Sequence, residues 1–123
     1  MKCLHIITPV KDSIDSTLET VKAIMESDIL VPFTYTVYND FSTEENTHRL
    51  EEAARQWNFR LVNLSDLTDH PSPNYLLVLQ TAQKEAIEAD AGLLIVESDV
   101  IVKKNTLQSL YNGALQQKQL QQL

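Results

Sequence analysis

Glu97-Ser98-Asp99 sets two carboxylates two residues apart, directly after the apolar run Leu93-Leu94-Ile95-Val96. Hard oxygen ligands in that position can be aimed at one cation, and a magnesium or manganese ion there would act as a Lewis acid on a diphosphate. The same triplet also reads as ordinary turn chemistry, because acids commonly close strands. Asp40, between Asn39 and Ser42-Thr43, can accept a hydrogen bond from a base or a ribose while the helix start after it favours an anion. The other reading of that segment is a plain helix-capping turn. Lys84 is the main cation available to a phosphate, or else a solvated helix lysine.

Other chemistries are absent. His5, His48 and His70 lack metal-ligand spacing, and there is no Cys/His cluster, phosphate-binding glycine loop or serine nucleophile elbow. Cys3 has no second cysteine to pair with and opens an apolar run, so a buried, inert thiol is expected. Ten basic against 17 acidic residues give a formal charge of −7 with no basic stripe, which disfavours nucleic acid and anionic lipid. An anionic ligand would need helix N-termini, a few cations or a metal to offset that charge locally. No stretch of about 18 apolar residues is present to span a bilayer. One Lys precedes a run broken by Pro9, with no small-residue cleavage site, so the expected setting is cytoplasmic.

The elements that must position these residues alternate along the chain. Leu4 to Val10 is a nearly continuous apolar run, as expected of a strand buried on both faces. Ser16 with Glu19 forms a possible capping box for a helix whose apolar face is Ile14, Leu18, Val21 and Met25. Phe33 to Val37 is a second strand, and the turn through Thr43 caps a helix with core face Leu50, Ala53, Ala54 and Trp57. A third strand, Phe59 to Leu64, leads to the loop Ser65 to Pro73. Asn74 then caps a helix facing the core through Leu76, Leu79, Ala82, Ala86 and Ile87, until Ala91-Gly92 turns the chain. A fourth strand is Leu93 to Val96, and a last helix opens at Asn105 or Thr106, runs through Leu110 and Tyr111 and stops at Asn112-Gly113.

This order predicts an α/β fold: a three-layer, Rossmann-like, mainly parallel sheet with helices on both faces. Residues 1–113 form the domain, and residues 114–123 a Gln-rich tail, helical or disordered. Ligands of such sheets bind beyond the carboxyl ends of the strands, where strand order reverses. Lys11-Asp12, Asn39-Asp40 and Glu97-Ser98-Asp99 all fall at strand ends, so the topology predicts that they converge.

The same clusters resemble the amino-terminal half of inverting family 2 glycosyltransferases, which have the GT-A fold. Ile6-Ile7-Thr8-Pro9-Val10-Lys11-Asp12 is similar to that family's opening strand, Ile-Ile-Pro-Val-Tyr-Asn. Val37-Tyr38-Asn39-Asp40-Phe41-Ser42-Thr43-Glu44 is similar to its Val-Asp-Asp-Gly-Ser-Thr-Asp segment. Ala86-Ile87-Glu88-Ala89 and Leu94 to Val100 resemble the helix and strand that end in Asp-x-Asp. The resemblance implies a nucleotide-diphosphate sugar as ligand, with Thr8, Pro9 and Val10 lining the nucleobase pocket, Asp40 on the base, and Lys84 and Ser98 on the nucleotide sugar. It implies Mg2+ or Mn2+ held by Asp99 with Glu97, a glycan or lipid-linked acceptor, and self-association as an option.

Several positions depart from the family pattern. Asn39 replaces an acid, Phe41 a glycine, Lys84 and Ala86 an Asn and a Gly, and Glu97 the first Asp. A bulky Phe41 resists the positive φ that glycine permits. The family's catalytic base lies beyond the matched segment, so no base is assigned and little or no transfer is expected from this chain alone. Two other readings stand beside this one: a non-catalytic interaction module, and a receiver-like signalling domain with Asp12 and Asp66 as its acids.

Overall fold

The computed structural model describes residues 1–121. Four strands and four helices alternate: β1 (Cys3–Val10), α1 (Ile14–Met25), β2 (Phe33–Asn39), α2 (Glu44–Trp57), β3 (Arg60–Asn63), α3 (Tyr75–Glu88), β4 (Ala91–Ile95) and α4 (Thr106–Gln121). The strands form one sheet in the order β3-β2-β1-β4, every pair parallel. The predicted α/β, Rossmann-like fold is therefore the observed one. No described helix is long and apolar enough to cross a membrane.

β1 lies between β2 and β4, which explains its continuous apolar sequence. Its even residues Leu4, Ile6 and Val10 pack with Val21 and Ile24 of α1, Leu50 and Ala53 of α2, and Leu107 and Tyr111 of α4. Ile7 points to the other face, where it meets Tyr38, Leu64, and Val78 and Ala82 of α3. Fully burying each such aliphatic side chain contributes about 1.5–3 kcal/mol, so the two faces of β1 anchor both layers.

Strand order also disposes of the receiver-like reading. A receiver-like sheet places its third strand against the first, in the order 2-1-3-4-5. Here β2 separates β3 from β1, so Asp66, in a short 3-10 turn after β3, is a strand removed from Asp12.

Local departures have local causes. α1 starts at Ile14 after a left-handed Ser13, and the Ser16 hydroxyl donates to Ser13 O from inside the first turn, so no capping box forms. Thr43 caps α2 as expected, accepting from Asn46 N at 3.2 Å, and a left-handed Asn58 ends it. Phe59 precedes β3 yet stays in the core against Tyr35, ring centroids 5.7 Å apart. The core stripe of α3 is Val78-Ala82-Ala86, each four residues apart, which leaves Leu76 (66%) and Ile87 (71%) exposed.

The turn before β4 is made by Asp90, at φ 51°, and Ala91-Gly92 already belongs to the strand. A Cβ on Gly92 would lie 2.9 Å from Met1 Sδ, so the amino-terminal side chain occupies the space that the glycine leaves. α4 buries Leu107 and Tyr111 rather than Leu110, and it continues through Asn112-Gly113, so the tail is helical as far as Gln121. The last two tail residues, 122 and 123, lie outside the described residues.

Candidate functional site

Because all four strands are parallel, the segments that follow β1, β2 and β4 emerge at one edge of the sheet. They meet around a cavity of about 340 Å³ lined by Pro9, Val10, Lys11, Asp40, Ser72, Pro73, Tyr75, Val78 and Glu97. It sits where chain order reverses, β2 and β4 flanking β1. The three polar clusters thus converge, each contributing one residue: Lys11, Asp40 and Glu97.

Asp40 is fixed from two sides. Its backbone N–H donates to Val10 O at 2.7 Å, extending the β1–β2 pairing by one residue. Its carboxylate accepts three bonds of 2.8 Å, from Ser72 Oγ and Asn74 N on Oδ2 and from Asn74 Nδ2 on Oδ1. Burial works against the charged form, but the bonds from Asn74 and Ser72 and the nearby Lys11 ammonium outweigh it and hold the carboxyl below its usual range. A carboxylate has about four lone-pair sites, so Asp40 retains one on Oδ1 for a ligand donor.

Asp12 forms a second tie. Its Oδ1 accepts from Thr43 N at 2.8 Å and Asn46 Nδ2 at 3.0 Å, while its own N–H donates to Ser42 Oγ. The Thr43 N–H, foremost, and then Asn46 hold this carboxyl below its ordinary value. The loop after β1 is thereby joined to the loop after β2, and Lys11 Nζ adds a bond to Phe41 O.

The departures at Asn39 and Phe41 acquire physical reasons. Asn39 Nδ2 donates to Thr47 Oγ1 and Asn63 Oδ1, both at 2.9 Å, and Oδ1 accepts from Ser42 N. An acid could not make those donations, so the amide stitches β2 to β3 and α2. Phe41 does take a positive φ, 61°, as a glycine would. That conformation costs on the order of 1–3 kcal/mol for a residue with a side chain. Packing against the Ile7, Tyr38, Leu64, Val78 and Ala82 cluster offsets it.

The remaining expected residues divide. Pro9 and Val10 line the cavity, but Thr8 is fully buried and accepts a 2.8 Å bond from Tyr35 OH. Its side chain is spent inside the core on the same face as Ile6 and Val10 and is not among the residues lining the cavity. Lys84 is exposed on the tenth residue of α3, about 15 Å along the helix axis from its start at the cavity. The neighbouring Glu85 pairs with Arg60 at the opposite edge of the sheet, so Lys84 stays away from this rim.

Glu97, Ser98 and Asp99 form a turn closed by Val100 N donating to Glu97 O, and Thr20 of α1 holds Ser98 O at 3.0 Å. Glu97 faces the cavity, whereas the exposed Asp99 is not among the residues lining it. The acid that shares the cavity with Asp40 is therefore Glu97. Among the described residues no three His, Cys, Asp or Glu side chains gather tightly enough to hold an ion by themselves. The donors present, two carboxylates on one turn, suit a hard cation that takes its other ligands from phosphate oxygens.

Sequence reasoning missed the far wall. Ser72, Pro73 and Tyr75 lie more than 30 residues from Asp40, and Asn74 carries the signature of a helix cap. Its side chain makes no cap bond and binds Asp40 and the His70 carbonyl instead. A larger cavity, about 500 Å³, lies at the other end of the strands between Cys3, His5, Thr34, Thr36, Arg60 and Glu85. Its charged groups are already bonded to each other, so the smaller rim cavity is the better candidate.

No family model matches the sequence, and no curated protein matches it. Solved structures of GT-A-type glycosyltransferases do match its fold. S. aureus TarS 1-349 aligns with a TM-score of 0.62 at 20% identity, over 89% of this chain and 31% of that one. The same protein in complex with UDP-GlcNAc gives 0.61 at 22% identity, over 89% and 30%. The mannosyltransferase PcManGT from Pyrobaculum calidifontis, in complex with GDP-Man and Mn2+, gives 0.65 at 18% identity, over 85% and 30%. The chain spans less than a third of the length of these enzymes and has, over that span, their fold.

Proposed function

We propose that the rim cavity takes the nucleotide-diphosphate part of a nucleotide sugar, as the donor site of a glycosyltransferase-like domain. The observation that carries this reading is the convergence of Lys11, Asp40, Tyr75 and Glu97, from four separate elements, on one cavity at the switch point of the sheet. Support also comes from the fold neighbours solved with UDP-GlcNAc and with GDP-Man and Mn2+. Pro9 and Val10 face the base, and the free lone pair of Asp40 Oδ1 accepts from a base N–H. Glu97 would hold a divalent ion, magnesium or manganese, that neutralises the diphosphate, and Asp99, on the same turn but outside the cavity lining, would have to turn inward to join it.

Lys11 is the cation lining the cavity and lies on the phosphate side of this arrangement. Transfer by the chain alone is expected to be slight. Of the two acids in the cavity, Asp40 is held below its usual carboxyl range and is a poor base, and Glu97 is assigned to the metal. The acceptor in this reading is a glycan or a lipid-linked acceptor, met in the cytoplasm. Calorimetric titration with UDP and GDP, with and without Mn2+, tests it. Binding that Mn2+ strengthens, and that falls in Glu97→Gln to its metal-free level, is expected; no binding by the wild type would refute it.

An interaction module without catalysis is the second reading, favoured by one observation. Three of the four acceptor sites on Asp40 are already spent on Ser72 and Asn74, so the residue serves structure first. An unchanged melting temperature with every nucleotide diphosphate tried would decide for this module.

A further inference from the structure

The first residue of α3 reaches across the rim cavity to the acid that follows β4. Tyr75 OH donates to Glu97 Oε1 at 3.2 Å, joining positions 22 residues apart. Both side chains line the cavity, together with Asp40 and Lys11. Tyr75 is 44% exposed, and Val78, one turn further on, does the core packing for this end of α3. A large, partly exposed ring that lines the cavity and bonds one carboxylate oxygen of another element is not needed to fill the interior.

We propose that Tyr75 is a positioning residue: its ring forms part of the wall of the cavity that Asp40 and Glu97 also line, and its hydroxyl aims the Glu97 carboxylate. This rests on the nucleotide-sugar reading and extends it to what holds one of the ligand-facing groups in place. Glutamate carries one more rotatable bond than aspartate, so an untethered Glu97 would lose more conformational freedom on meeting a cation. The phenol removes much of that freedom in advance. It occupies Oε1 and leaves Oε2, which accepts no hydrogen bond among the described residues, for the ion. The longer arm of Glu97 is thus matched by a tether from α3.

Titration of wild type, Tyr75→Phe and Tyr75→Ala with UDP and GDP, in Mn2+ and in EDTA, separates hydroxyl from ring. Phenylalanine keeps the wall and loses the tether. Its affinity in Mn2+ should fall about threefold to tenfold, the loss expected for one hydrogen bond to a charged group, with affinity in EDTA unchanged. Alanine should weaken binding in both conditions. Equal affinities of wild type and Tyr75→Phe in Mn2+ would overturn the positioning role while leaving the nucleotide site standing.

Mn2+ alone supplies a readout without nucleotide. It should broaden the backbone amide resonances of residues 97–99 in the wild type, and at the same ion concentration broaden them less in Tyr75→Phe. Equal broadening, or none in the wild type, counts against the proposal. A wild type that binds no nucleotide but shows this difference would end the donor-site reading and keep the Tyr75–Glu97 coupling. Glu97→Gln gives a second handle on the same bond: its loss in Mn2+ should absorb that of Tyr75→Phe, and strictly additive losses would refute the link.

Discussion

The two ends of the sheet carry similar side chains and use them in opposite ways. At the carboxyl ends, Asp12 and Asp40 bond mainly to loop backbone and to neutral side chains, and Asp40 and Glu97 each keep acceptor sites open to the cavity. At the amino ends, Arg60 and Glu85 close on each other through two bonds, 2.6 and 3.0 Å. His5 packs beside them, with Nδ1 against Thr34 Oγ1 and Nε2 3.6 Å from Glu85. His5 Nε2, Thr36 Oγ1 and Tyr38 OH are buried there with no hydrogen-bond partner among the described residues. The larger cavity is at the amino end, yet its charge is neutralised internally. Carboxylate lone pairs left open beside a cleft, rather than cleft volume or buried neutral groups, distinguish the carboxyl end from the amino end.

Substitutions can break that contrast. The largest effect is expected at Asp40. Asp40→Ala leaves the buried Asn74 amide and N–H without their acceptor, which should cost about 2–3 kcal/mol in urea unfolding and abolish nucleotide binding. A stability loss below roughly 0.5 kcal/mol would mean that the clamp is not formed in solution. Asn39→Asp comes next. It replaces two donated bonds by a carboxylate facing Asn63 Oδ1, and about 1–2 kcal/mol should be lost by the same measurement.

Arg60→Met probes the other end. The arginine is half exposed and solvent screens the pair, so about 1 kcal/mol or less is expected, with nucleotide affinity unchanged. A loss of affinity in that variant would erase the distinction between the two ends.

The gentlest probe is pH. Burial, the leading effect, holds His5 neutral by lowering its pKa below 6.5, and Arg60 adds to that while Glu85 opposes it. A lowered folded pKa means that the unfolded chain takes up the proton first. Stability should therefore decline as pH falls from about 6.5 towards the folded value, and His5→Gln should flatten that decline. Asp12, Asp40 and Glu85 have lowered carboxyl pKa values, so their contributions are present above about 4 and are lost in more acid solution. Urea midpoints at pH 7.5, 5.5 and 3.5 separate the two windows.

How much of this was legible beforehand varies from element to element. β1 could be read directly because a strand buried on both faces needs apolar residues throughout, and Thr43 announced α2 by its capping chemistry. The face of α3 could not, since Leu76, Leu79 and Ile87 compete with a stripe made partly of small residues, and only the neighbouring strands choose between them. Thr8 illustrates another limit: alternation says that it opposes Pro9, but not which side of the sheet holds the ligand. Lys84 was decidable in principle, because a helix leaving the rim carries its tenth residue about 15 Å away. The wall made by Ser72, Pro73 and Tyr75 had no local signal, as loop residues are placed by distant partners.

The bonds from Asp12 to the segment at Thr43 and Asn46 bear on how tightly anything can dock at this edge. They order two of the turns during folding, so an arriving molecule need not immobilise them at its own expense. Affinity there should reflect mostly the contacts made, and a variant that frees those turns, such as Asp12→Ala, should bind more weakly without losing a single group that touches the guest.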